Sequence, residues 1–139
     1  MLLEVKGLVK KYDETKITAL GSIDLSLAEG EILGIAGESG AGKTSLLRIL
    51  RGVERFDEGS IKFNGLRLEK GSGDDEFLEY QKQTAIQLQR SFSLWPDSAV
   101  DNVVRALRYV DIGEESIPQD EAELDEYRGR AMEVLKVVG

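Results

Sequence analysis

Residues Gly37 to Thr44 read Gly-Glu-Ser-Gly-Ala-Gly-Lys-Thr, and no other stretch constrains the fold of this chain as strongly. The run satisfies G-x-x-x-x-G-K-[ST], a glycine-rich loop that cradles phosphate when a strand leads into it and a helix leaves it. Upstream, Ile32-Leu33-Gly34-Ile35-Ala36 has the length and composition of a buried strand. Downstream, Leu46, Ile49, Leu50 and Val53 fall at i, i+3, i+4 and i+7, the spacing of one helix face. Strand, loop and helix follow in the order the pattern requires.

The residue types explain the chemistry. Gly37, Gly40 and Gly42 allow backbone angles and close approaches that a Cβ would block. The backbone N–H groups of Gly37, Glu38, Ser39, Gly40, Ala41, Gly42, Lys43, Thr44 and Ser45 then converge on phosphate oxygens. The helix that follows adds its positive N-terminal end. Lys43 brings a point charge to the β- and γ-phosphates, and Thr44 offers a hydroxyl to a magnesium ion that keeps most of its waters.

Composition narrows the class. A chain of 139 residues is about one domain, and the sequence holds no cysteine and no histidine. Disulfides and thiolate metal sites are therefore excluded, and the commonest metal ligand is missing. No apolar run reaches the length of a membrane span, and the N-terminus lacks a signal-peptide pattern, so the expected compartment is the cytoplasm. A net charge of −8 argues against nucleic acid as a partner, since a phosphate backbone is held by clustered Lys and Arg.

Alternation predicts strands at Leu3–Lys6, Ile17–Leu20 and Ile23–Leu27. Ser60–Phe63 and Leu66–Leu68 flank Asn64-Gly65, a strong hairpin signal. Residues 69–76 are rich in Gly, Ser and acid and read as an exposed loop, while Thr84–Leu88 reads as a strand. Beyond Pro96 the period becomes helical. Val100, Val103, Val104 and Leu107 form one stripe with Ser98 as N-cap. Leu124, Tyr127, Ala131, Leu135 and Val138 form another, with Asp120 and Glu123 in capping-box positions. The acidic run Asp111–Gln119 reads as the connection between them.

The order of motifs resembles the first part of an ATP-binding-cassette (ABC) ATPase domain. Tyr12, in Val9-Lys10-Lys11-Tyr12, sits where that family places an aromatic residue that stacks on adenine, a contact made by the ring rather than the hydroxyl. The phosphate loop follows, and Gln89 ends an apolar run where the family has a glutamine that reaches the magnesium and the attacking water. The resemblance implies an α/β fold: a P-loop core over residues 31–56 and 84–89, an antiparallel β subdomain over 1–30 and 60–68, and the start of a helical subdomain over 90–139. It implies Mg-ATP as cofactor and a second ABC domain, as homo- or heterodimer, that supplies a signature motif. It also implies a client that takes up the work, most often a membrane subunit in transport, which would hold the chain at the inner face of the membrane.

A narrower resemblance is to component A2, the ATP-dependent activator of methyl-coenzyme M reductase, carried by Ala85 to Leu94 and Val100-Asp101-Asn102-Val103. That group often bears a cysteine-rich insertion which residues 64–80 lack. The family's signature, its acidic pair after an apolar strand and its switch histidine do not occur in this sequence, so no catalytic residue is assigned. The chain is expected to be a fragment or one piece of a split assembly, inactive alone. Two other classes use the same loop. One is a kinase or GTPase, the latter expected to carry an Asn-Lys-x-Asp motif that is not found here. The other is a non-catalytic ATP-binding assembly or regulatory module.

Overall fold

The computed structural model describes residues 1–12, 17–87 and 94–138. They fall into two compact units, Met1–Ile86 and Gln87–Gly139. In the first unit, β1 (Leu3–Tyr12), β2 (Ile17–Leu27), β3 (Glu58–Phe63) and β4 (Leu66–Glu69) make one antiparallel sheet in the order β2-β1-β3-β4. Leu3 pairs with Leu27 on one side and with Phe63 on the other, so β1 is interior to the sheet. The two short strands expected between residues 17 and 27 are a single strand. Its irregular register against β1 and the positive φ of Ser22 (64°) explain why the alternation appears to break there. The hairpin at Asn64-Gly65 forms as expected, with φ of 46° and 85° and Phe63 paired to Leu66.

One helix face and one sheet face close the core. In α1 (Lys43–Leu50), Leu46 and Ile49 are buried with Leu3, Val5, Leu8, Leu20, Phe56, Ile61 and Leu68. The helix ends earlier than the stripe suggested. Gly52 turns the chain at φ 80°, and Val53, expected on the buried face, is exposed. A second helix, α2 (Asp74–Lys82), occupies the end of the stretch read as a loop. Its acids are a helix start rather than a solvated tail: Asp74, Asp75 and Glu76 fill the first turn, and the Glu76 carboxylate accepts the Gly73 N–H at 2.7 Å. Phe77 and Tyr80, three residues apart, bring α2 into the core.

Two predicted strands do not form. Ile32–Ala36 makes no ladder and is exposed, Ile32 at 95%. An apolar run becomes a strand only when another strand satisfies its N–H and C=O groups, and among the described residues none lies beside it. The strands expected in the P-loop core over residues 31–56 and 84–89 are accordingly not paired among the described residues, where every pairing is antiparallel and lies within β1 to β4. Thr84–Gln87 is likewise not a strand; Leu88 lies outside the described residues.

Tyr80 ties α2 to α1. Its ring is buried, edge-on to Phe63 with centroids 5.7 Å apart, and its hydroxyl donates to the Leu50 carbonyl at 2.8 Å. Burial pushes this phenol from its ordinary 10 up to about 12, with Arg51 opposing. A raised phenol pKa means the native state keeps a proton that the unfolded state releases. The stabilisation is therefore complete below pH 10 and is lost as pH rises toward 12. Urea titrations across that window are expected to show about 2–3 kcal/mol of loss attributable to Tyr80. Tyr80→Phe should remove that part of the slope while costing about 1 kcal/mol at neutral pH.

In the second unit, α3 (Ala99–Ile112) packs on α4 (Glu121–Val138) around Val104, Tyr127 and Ala131. Both expected caps are present: Ser98 Oγ accepts from the Asp101 N–H and Asp120 Oδ1 from the Glu123 N–H, each at 3.0 Å. α3 runs on to Ile112 and stops at Gly113 (φ 81°), so the connection is shorter than the acidic run implied. Arg128–Asp101 and Arg130–Asp111 pairs, at 3.1 and 2.6 Å, join the helices.

Candidate phosphate-binding site

Gly42 sets the glycine loop against the sheet. Gly42, at φ 85°, is the N-cap of α1. A Cβ there would stand 2.3 Å from the Ala19 carbonyl oxygen and 3.1 Å from Leu20 Cδ2 of β2. Only glycine permits this approach, which sets the start of α1 against β2 while Leu46 and Ile49 seat its far face in the core.

The helix start is arranged for an anion. No side chain caps α1, and its first turn holds no acidic residue. Its leading N–H groups are thus not taken by a cap of the Ser or Asp type. Lys43 folds back over the loop, with Nζ donating to the carbonyls of Gly37 at 2.7 Å and Glu38 at 2.6 Å. The ammonium thus sits within its own loop, in contact with carbonyl oxygens rather than a carboxylate. Thr44 is exposed and Ser45 half-buried.

Tyr12 lies at the end of β1, 37% exposed. Its hydroxyl, given no role by the sequence, donates to Glu54 Oε1 at 2.5 Å and lies 3.0 Å from Ser45 Oγ. Lys10 Nζ stands 5.1 Å from the ring centroid, 3.6 Å from Glu54 Oε1 and 2.8 Å from the Arg55 carbonyl. Arg48 Nε is 3.5 Å from the other Glu54 oxygen. The structure therefore joins Tyr12 to the loop through Ser45, bringing together two of the three regions singled out in the sequence. The third, Gln89, lies outside the described residues. Lys10, Arg48 and Glu54 were not foreseen. Glu54 is 42 residues from Tyr12, and no local pattern signals such a contact.

Comparison with known proteins points to one family. The ABC transporter family matches residues 20–138. The uncharacterized ABC transporter ATP-binding protein MJ1662 of Methanocaldococcus jannaschii is 42% identical over 99% of this chain and 22% of its own length. The methionine import ATP-binding protein MetN of Clostridium tetani is 34% identical over 99% of this chain and 39% of its own. Among solved structures, the dimeric post-hydrolysis state of the ATP-binding cassette MJ0796 bound to ADP and Pi superposes with a TM-score of 0.74 at 28% identity. It covers 97% of this chain, which spans 56% of that one. The chain thus spans well under half the length of these curated relatives. Its α/β fold is that of the ABC cassettes, with the antiparallel β subdomain in place. With the glycine loop, the uncapped helix start and a match over nearly its whole length, the chain belongs to the ABC transporter family.

Proposed function

We propose that Gly37 to Ser45 bind the phosphates of Mg-ATP, and that the chain is the ATP-binding part of an ATPase that couples nucleotide binding and hydrolysis to work in a partner. The observation that carries this reading is the pairing of an uncapped α1 with an ammonium already inside the loop, at 2.7 and 2.6 Å from two loop carbonyls. Such a site offers N–H donors and a positive charge to an anion and sets no carboxylate of the first helical turn against it. Among the described residues no three metal-ligating side chains cluster. Magnesium would therefore be held by phosphate oxygens and waters with the exposed Thr44 hydroxyl, which suits its reluctance to dehydrate. Tyr12 is assigned to the adenine. Gln89 is assigned to the metal and water on its motif position alone.

The partners in this reading are a second ABC domain, as in the dimeric MJ0796 cassette, and a membrane subunit, as the import names of the relatives suggest. The chain would then work at the cytoplasmic face of a membrane; none of its described helices is long and apolar enough to cross one. A second reading, a soluble activator like component A2, rests on the run Ala85–Leu94.

Calorimetric titration tests the assignment: saturable, magnesium-dependent heat with ATP is expected, and none with adenosine at the same concentration. The chain alone is also expected to release phosphate at no more than background rate. Lys43 and Thr44 hold charge and metal, yet neither can orient or deprotonate water, and in-line attack depends on that alignment. Turnover that disappears with Lys43→Ala would show that the water-activating group is present in this chain.

A further inference from the structure

Tyr12 is the last residue of β1, a place where a side chain is ordinarily loosely held. Here it is fixed from three directions. A tyrosine hydroxyl has one proton, and the Glu54 carboxylate can only accept, so that proton goes to Glu54 and the Ser45 hydroxyl donates to the Tyr12 oxygen. Lys10 supplies the third constraint from the ring face. Glu54 is itself enclosed, its side chain 14% exposed, and two cations offset the cost of that enclosure: Lys10 at 3.6 Å and Arg48 at 3.5 Å. Its backbone is steadied in turn. The Val53 N–H donates to the Arg48 carbonyl at 3.1 Å, and Lys10 Nζ to the Arg55 carbonyl at 2.8 Å.

We propose that Glu54 is a positioning residue for the base site: with Lys10 and Ser45 it presets the Tyr12 ring beside the first turn of α1. The inference rests on the reading of Tyr12 as the base contact. An apolar contact would hold β1 near α1 equally well. What this cluster adds is orientation, because a phenol bonded to both Ser45 and Glu54 is restrained about its last torsions. A ring ordered before the base arrives loses less freedom on binding.

The test compares affinity for Mg-ATP with affinity for magnesium tripolyphosphate, which engages the loop but has no base. Tyr12→Ala, Tyr12→Phe, Glu54→Ala and Glu54→Gln are titrated with both. Glu54→Ala is expected to weaken ATP about 5- to 10-fold with tripolyphosphate unchanged. Tyr12→Phe should match it, and the two together should be no worse than either alone. Glu54→Gln keeps an oxygen that can accept from Tyr12 and should stay near wild type. If Tyr12→Ala weakens ATP selectively but Glu54→Ala does not, the positioning role is wrong and the base assignment stands. If Tyr12→Ala leaves the ratio unchanged, the base assignment fails and takes this inference with it. An equal loss of both ligands in Glu54→Ala would make the cluster a purely structural tie and overturn the proposal.

Discussion

Gly42→Ala is expected to weaken Mg-ATP binding by at least about 100-fold and to lower the unfolding free energy by about 2–4 kcal/mol. Two costs combine. The left-handed backbone at φ 85° costs an L-residue about 1–2 kcal/mol. The new Cβ would also meet the Ala19 carbonyl oxygen at 2.3 Å, a backbone atom of β2 at the point where the register of that strand against β1 shifts. Either β2 or the start of α1 must shift, and a shift of α1 moves every N–H group that faces the phosphate. Gly40→Ala is the matched control. It shares a positive φ of 82°, but its Cβ would meet nothing within 4 Å, so it should cost only the backbone strain. Urea unfolding of the two variants, with nucleotide titration of each, separates strain from collision. Equal effects would show that contact with β2 is not what anchors the loop.

Lys43→Ala is expected to lower affinity for Mg-ATP about 10- to 100-fold while leaving stability nearly unchanged. The ammonium donates to two exposed loop carbonyls, so its removal abandons no buried charge and unseats no core residue. A phosphate, by contrast, loses a charge-assisted hydrogen bond worth roughly 1.5–3 kcal/mol, which is the stated loss in affinity. The wild-type affinity should fall with rising salt more steeply than that of the variant, because the lost contact is ionic. Titration of a fluorescent ATP analogue at two ionic strengths, with urea unfolding of both proteins, gives both quantities.

The sequence made local features legible and left partnerships hidden. The Asn64-Gly65 hairpin, the Ser98 and Asp120 caps and the helix after the glycine loop all depend on neighbours a few residues apart, and all formed, the helix ending before Val53. Ile32–Ala36 shows the opposite case. Its composition is that of a buried strand, but a strand exists only with a ladder partner, and none lies beside it among the described residues. Helix α2 is hidden in the sequence because Gly, Ser and acid suggest a loop. Those same acids stabilise a helix start, and Phe77 with Tyr80 was the signal available. At the site, the loop and Tyr12 were legible as motifs. The Glu54–Tyr12–Ser45 bonds were not, because they join residues 33 and 42 positions apart through the packing of β1 on α1.

The central claim is that the loop from Gly37 to Ser45 receives the triphosphate. Amide NMR of the nitrogen-labelled chain during addition of Mg-ATP tests it residue by residue. The largest shifts are expected at Gly40 to Ser45, saturating at one affinity together with Tyr12, and vanishing in Lys43→Ala. Loop amides that stay in place while the shifts gather elsewhere, for instance in the groove between Gly52 and Gln81, would contradict it.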